Sequence, residues 1–171
     1  SAMVIDLTAP AAATSIAWTE STPNGDDTVQ ATWTKSVSGD LSDQHIQFYA
    51  DGTCSATSGA DIDLTSASQT HNWTAPGEGT FSYRVRSYDA AGNTALSACS
   101  SAMVIDLTNP AAATALGWTQ ASPRNSTSVT ASWTKSVAGD LANQKIQFYS
   151  DTGCSTTSGA LIDLLSSSAQ T

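Results

Sequence analysis

The sequence predicts an all-β chain built from tandem β-sandwiches, with seven short strands in each complete domain. Three observations carry that prediction. Short runs alternate apolar and polar side chains with a period of two, as in Val29, Ala31 and Trp33 against Thr28, Gln30, Thr32 and Thr34. Clusters of Gly, Pro, Asn, Asp and Ser punctuate the chain between those runs. Residues 101–108 repeat residues 1–8 letter for letter as SAMVIDLT, so that position n returns at n + 100.

The repeat is ungapped. Trp18 returns as Trp118, Trp33 as Trp133, Phe48-Tyr49 as Phe148-Tyr149 and Cys54 as Cys154. A period of this length is a whole domain, not a solenoid unit. The expected division is a complete domain over 1–103 and a second, incomplete one over 104–171 that lacks its last two strands. The copies also separate loop from strand. Residues 21–30 and 121–130 differ almost throughout, keeping only Pro23/Pro123 and Val29/Val129. Ala31, Trp33, Thr34, Lys35, Ser36 and Val37 all reappear a period later.

Within one period the elements follow in order. A short strand is expected at 16–19, after Pro10 and an Ala-rich run. Ser21-Thr22-Pro23-Asn24-Gly25-Asp26 is turn chemistry, and the alternating strand at 28–34 follows it. Ser38-Gly39-Asp40 breaks the chain before a strand at 44–50 that points Ile46 and Phe48 inward. Asp51-Gly52-Thr53 turns into Cys54, and short strands follow at 62–64 and at 70–74, the latter with Trp73. Pro76-Gly77-Glu78-Gly79 leads to the longest alternation, 80–88, with Phe81, Tyr83 and Val85 on one face and Ser82, Arg84 and Arg86 on the other. Ala90-Ala91-Gly92-Asn93 turns the chain back into a last strand at 95–100. No stretch holds a helical period.

Composition narrows the function classes. Charged residues are 12% of the 171, and the net charge is −9. No basic stripe exists to neutralise phosphates, which argues against nucleic acid, and the acidity argues against docking on anionic lipid. No apolar run is long enough to span a membrane. No leader peptide opens the sequence, and any leader is expected upstream, because residues 1–8 recur internally. A Ser- and Thr-rich, weakly charged chain suits an extracellular or cell-surface protein, with the periplasm as the other compartment.

Trp33, the Tyr83-Arg84-Val85-Arg86 strand, the Tyr88-Asp89-Ala90-Ala91-Gly92-Asn93 turn and the stretch Val104-Ile105-Asp106-Leu107-Thr108-Asn109-Pro110 together carry a resemblance. The whole chain resembles fibronectin type III and bacterial Ig-like tandem repeats of large secreted adhesins and surface fibres. The resemblance implies Ig-like sandwiches, no enzymatic activity, and a spacer or stalk role with neighbouring repeats as partners. It also implies that the strands before Cys54 and Cys99 run parallel and end at one pole. With Cys154 copying Cys54, the expected pairing is a Cys54–Cys99 disulfide, leaving Cys154 without its partner; two buried thiols are the alternative. Type III domains usually lack disulfides, so the cysteines depart from the pattern.

Acidic residues gather in turns. The sandwich topology brings Asp6, Asp40 and Asp89 to one pole, while Asp106 and Asp140 face Asp26, Asp27, Asp51 and Glu78 at the joint between repeats. Carboxylates suit a weak calcium site, and no other cofactor is expected. The plainer alternative is turn-capping by side-chain-to-backbone bonds. His45 and His71 become Lys145 and Thr171, so neither is a repeated position. No nucleophile elbow or zinc spacing is present. Trp33 and Trp133 read as core; Trp18, Trp73, Tyr49, Tyr88 and Tyr149 leave room for a sugar platform. Asn72-Trp73-Thr74 and Asn125-Ser126-Thr127 match the glycosylation pattern, which short sequences also meet by chance. Besides the spacer, two functions stay open: a glycan- or protein-binding module of a secreted enzyme, and a homo-oligomeric fibre subunit completed by strands from a neighbouring chain.

Overall fold

The computed structural model describes residues 3–168. The chain forms two compact units, Ser1–Thr108 and Asn109–Thr171.

The first unit is a two-sheet antiparallel sandwich. One sheet has the order β1-β2-β5, formed by Thr14–Trp18, Thr28–Thr34 and Thr70–Thr74. The other has the order β4-β3-β6-β7, formed by Ile62–Thr65, Leu41–Tyr49, Gly79–Asp89 and Thr94–Leu96. An eighth strand, β8 (Met103–Ile105), also pairs with β6. This is the strand order of a fibronectin type III-like, Ig-like sandwich.

The alternation in the sequence builds the core. Ala31 and Trp33 of β2 meet Ile46 and Phe48 of β3 and Tyr83 and Val85 of β6. A second cluster of Val29, Ala75, Phe81, Met103 and Ile105 fills the pole where β6 begins. Trp18 and Trp73 pack against both clusters, and Trp73 stacks on Phe48 at 4.4 Å. All three tryptophans of the first unit thus pack on its core, so none offers a free stacking platform.

A bulge interrupts the β1–β2 ladder between Thr14 and Ala17, with Ser15 at φ 52. A bulge leaves backbone groups without ladder partners. The Tyr83 hydroxyl meets them from the opposite sheet: it accepts from the amides of Ala17 and Thr32 at 2.9 and 3.1 Å and lies 2.6 and 2.5 Å from their carbonyls. Burial pushes this phenol up to about 12, against the opposing pull of the bonds to Thr32 and Ala17.

Three expectations need correction. The boundary after residue 103 falls inside β8, and the compact unit runs through Thr108. The joint read at 101–110 is therefore largely a strand of the first unit. The strand read at 95–100 is regular only through Leu96; residues 97–100 stay on β6 irregularly, the Ser97 and Ser100 amides donating to the Val85 and Tyr83 carbonyls, and β8 then resumes the ladder. Finally, Ser82, read as outward-facing, is buried, because the loop carrying Cys54 folds over it.

Among the described residues of the second unit, four short strands form two separate ladders. β9 (Thr114–Trp118) pairs with β10 (Ala131–Thr134), and β11 (Lys145–Ile146) pairs with β12 (Ile162–Asp163). Residues matching the long β3 keep only a two-residue strand among the described residues, and core positions open to solvent: Trp118 is 56% exposed. Local structure survives nonetheless. Ala115 and Cys154 repeat the positive φ of Ser15 and Cys54, and Trp133 repeats the indole bond that Trp33 makes.

Candidate functional site

Three features of the first unit have chemistry built into them: a disulfide-bonded loop, an acidic cluster at one pole and a strand seat at the other.

Cys54 and Cys99 form a disulfide with a Cα–Cα distance of 5.9 Å. β3 and β7 both run antiparallel to β6, hence parallel to each other, and the two cysteines follow their ends. Asp51 organises the Cys54 loop, its carboxylate accepting from the amides of Thr53, Ser55 and Ala56. Those bonds, led by Ala56, hold the carboxyl well below the usual range although desolvation opposes them. Ser82 donates to the Asp51 carbonyl at 2.6 Å and accepts from the Cys54 amide at 3.2 Å. Gly52 lets residues 97–102 pass: a Cβ there would sit 2.9 Å from that of Ala102. Asp151 caps the second copy of this loop in the same way, while Cys154 is free and exposed. A disulfide of this kind persists in oxidising compartments, the extracellular space or the periplasm. Among the described residues, no helix is long and apolar enough to cross a membrane.

Asp6, Asp40 and Asp89 come together, with one carboxylate oxygen of each within 4.8 Å of the others. Hard oxygens at this spacing fit a cation such as calcium. Asp89, however, is largely occupied, accepting from the amides of Ala91 and Asn93 and from the Asn93 side chain. Burial raises its pKa, but the bonds from Asn93, Ala91 and Gly92 outweigh that and hold it low. Asn93 also donates to the Asp6 carbonyl at 3.1 Å, which fixes the start of the chain against this turn.

Asp26 and Asp106 serve turns. Asp26 accepts from the Thr28 amide, and Asp106 from the Thr108 amide. Asp106 belongs to the first unit and Asp140 to the second. Glu78 accepts from the Leu107 amide and the Thr108 hydroxyl.

At the opposite pole, β8 lies on the first residues of β6, in the register Gly79↔Ile105, Thr80↔Val104 and Phe81↔Met103. On its other side the Asn24 amide donates to the Val104 carbonyl, and the Asp106 amide donates to the Asn24 carbonyl. The Thr22 hydroxyl accepts from the Val104 amide. Met103 and Ile105 are each 1% exposed.

On the outward face of β3 and β6, His45 lies 4.5 Å from the Tyr88 ring and 3.4 and 3.3 Å from Asp43 and Asp63. His71 is half-buried against Phe48, and burial lowers its pKa. Tyr49 and Tyr88 are half-buried, and Tyr149 is exposed. Asn72 is exposed on β5, where its side chain accepts from Gln30 at 2.8 Å.

One core residue was missed from sequence. Gln44 is fully buried, accepts from the Trp33 indole at 3.0 Å and donates toward the carbonyls of Thr65, Ser66 and Ser68. The signal was available: Gln44 is in phase with Ile46 and Phe48, and a buried indole N–H needs an acceptor.

No family model matches the chain, and no curated protein matches it. Among solved structures it is similar to the chicken CNTN1 FN1–FN3 domains, at 12% identity and a TM-score of 0.49, over 91% of this chain and 52% of that one. It is also similar to pectate lyase Pel3 from Pectobacterium carotovorum, at 17% identity and a TM-score of 0.44, over 61% of this chain and 29% of that one. The chain thus spans about half or less of either structure. Its fold assignment rests on its own strand order.

Proposed function

We propose that this chain is a non-enzymatic spacer from an extracellular stalk, of the kind found in bacterial adhesins and surface fibres. The observation that carries the reading is how one repeat runs into the next. Residues 103–108 are held in the first unit by β6, Asn24 and Glu78, and only residues 109–113, with Pro110 among them, precede β9. A joint this short, with a fixed proline φ, favours a semi-rigid string over a freely swinging one. The repeated side chains are turn caps and core, which serve length and durability. In this reading the first domain closes at Thr108.

The test is small-angle scattering on chains of one, two, four and six tandem copies. A stalk predicts a maximum dimension that grows linearly, by roughly 35–45 Å per copy, given that β6 alone has 11 residues. Growth with the square root of copy number would refute it.

A second reading, a glycan- or protein-binding module, draws on the outward His45–Tyr88 pair beside Arg86. Lys145 replaces His45 in the second copy. A glycan array probed with wild type and Tyr88→Ala decides it, since only a binding module gives signal that the substitution removes.

A further inference from the structure

The seat of β8 contains a dipeptide whose residue types the local fold does not require. Asn24 holds β8 through its backbone alone: its amide donates to the Val104 carbonyl, and its carbonyl accepts from the Asp106 amide. Its side-chain nitrogen is buried with no hydrogen-bond partner. Gly25 follows, and it does not use the left-handed region of the backbone. A Cβ on Gly25 would meet only the Asp106 carbonyl oxygen, at 3.8 Å, an ordinary contact. The second copy has Arg124-Asn125 at these positions.

We propose that Asn24-Gly25 is a deamidation site gated by β8, closed while the strand is seated and reactive once it lifts. The chemistry needs only water. The Gly25 amide nitrogen, its proton taken by solvent base, attacks Cγ of Asn24. A C–N bond forms and closes a five-membered succinimide. The bond from Cγ to Nδ2 breaks, and Nδ2 leaves as ammonia with the proton returned to it. Water then opens the ring at one of its two carbonyls, giving aspartate or isoaspartate. Glycine suits the attacking position, because no Cβ obstructs the approach and its backbone turns most freely. Asn24 is the only asparagine in the chain that glycine follows. Both reacting groups are uncommitted, since neither Asn24 Nδ2 nor the Gly25 amide has a hydrogen-bond partner among the described residues.

The gate is the pair of backbone bonds to β8. Asn24 lies in an extended, parallel bridge with Ile105. Ring closure requires rotation about the Cα–C bond of Asn24, so that the Gly25 nitrogen turns toward Cγ. That rotation swings the Asn24 carbonyl away from the Asp106 amide. Reaction therefore follows the population in which β8 has lifted.

The product makes the lifting permanent. Isoaspartate routes the chain through the side-chain carbon and adds a methylene to the backbone, so the bridge to Ile105 loses its register. Either product also adds a carboxylate, next to Asp26 and Asp27 in sequence and to Asp106 across the seat. Like charges there oppose reseating. The pair thus acts as a one-way record of β8 opening. This inference rests on the first unit alone and not on the spacer reading, and the scattering test does not sense it.

Peptide mapping of the full chain, incubated at mildly alkaline pH with the aspartate and isoaspartate forms resolved, tests the proposal. In urea-unfolded chain Asn24 should convert ahead of Asn72 and Asn143, and Gly25→Ala, which the seat accommodates, should slow it. In folded wild type the conversion should be far slower. Ile105→Ala, which loosens β8 without touching either reacting residue, should speed the folded-state conversion by about tenfold or more. In case that variant does not fold, wild type in urea below its unfolding transition serves: conversion should rise there while the far-ultraviolet circular dichroism stays native. The purified isoaspartate form should melt below wild type. Conversion no faster at Asn24 than at Asn72 in unfolded chain, or indifferent to Gly25→Ala, overturns the site. Equal rates in folded and unfolded wild type, a folded Ile105→Ala with the wild-type rate, or conversion that rises only with global unfolding overturns the gate. An isoaspartate form that melts with wild type overturns its permanence.

Discussion

Ile5 and Ile105 are the same residue in the same octapeptide, so truncating each in turn isolates what a seat is worth. Ile105 is 1% exposed and packs with Val29, Ala75, Phe81 and Met103. Its backbone is held by the β6 ladder on one side and a bridge to Asn24 on the other, which limits collapse of the surroundings. Buried Ile→Ala changes cost about 2–5 kcal/mol, and a site clamped in this way belongs near the middle, about 3 kcal/mol. For a domain of this size that lowers the melting midpoint by roughly 12–20 °C. Ile5→Ala removes a side chain that is 74% exposed and should stay within about 0.5 kcal/mol. Differential scanning calorimetry on the full chain measures both, and the cooperative transition reports the first unit, which holds the closed core. Equal shifts for the two variants, or less than about 1 kcal/mol for Ile105→Ala, would show that β8 is not part of the domain core.

Other consequences follow from the same packing. Tyr83→Phe keeps the ring but strands the backbone groups of the bulge, so it should cost about 2–4 kcal/mol in urea unfolding; a loss below about 1 kcal/mol would mean water replaces the hydroxyl at no cost. The folded-state pKa of Tyr83 lies above the ordinary value of 10, at about 12. The stability it contributes is therefore full below pH 10 and drains away as pH rises through 12, a loss that pH-dependent urea unfolding should show in wild type and not in Tyr83→Phe. Reduction of Cys54–Cys99, with a sequence separation of 45, should cost up to about 4 kcal/mol, read as a lower urea midpoint in reductant. Gly52→Thr places a Cβ 2.9 Å from that of Ala102 and should cost about 1–3 kcal/mol, with the crosslink becoming easier to reduce; an unchanged midpoint would show that residues 97–102 move aside freely.

The sandwich was legible because it is written in local alternation. Val29, Ala31 and Trp33 against their polar neighbours specified β2 to the residue, and the chain's turns fell where Gly, Pro and Asp clustered. The disulfide was legible for a different reason: the repeat accounted for the odd cysteine. What could not be read was set by tertiary partners. Gln44 has a polar side chain in a core phase, and only Trp33 and the carbonyls of residues 65–68 explain it. Ser82 sits in an outward phase and is buried by a loop folding back over it. β8 was hidden because Met103-Val104-Ile105 had already been seen at the start of the chain, which made it look like a beginning. The three carboxylates of Asp6, Asp40 and Asp89 do converge, yet convergence alone does not distinguish chelation from a turn that tolerates its neighbours.

The failure to read β8 bears on function. A tandem repeat has no intrinsic phase in its sequence; any residue can be called the first. Phase is fixed by pairing, and here β6 takes residues 103–105 as its own. The first unit therefore closes with Thr108, and the octapeptide at 101–108, which looks like a header, holds its closing strand. That assignment changes where a boundary cut does harm. Removing residues 101–108 takes Met103 and Ile105 from the core and breaks the bonds to Asn24 and Glu78, whereas cutting between Thr108 and Thr114 spares every strand of the first unit. It also explains why the same eight letters can be kept unchanged while the loop at 21–30 drifts. The 103–108 strand must fit β6 and Glu78 with its own residues, whereas Asn24 holds it through backbone groups that any residue supplies and Thr22 through a hydroxyl that Ser122 retains, so the loop can change where the strand cannot.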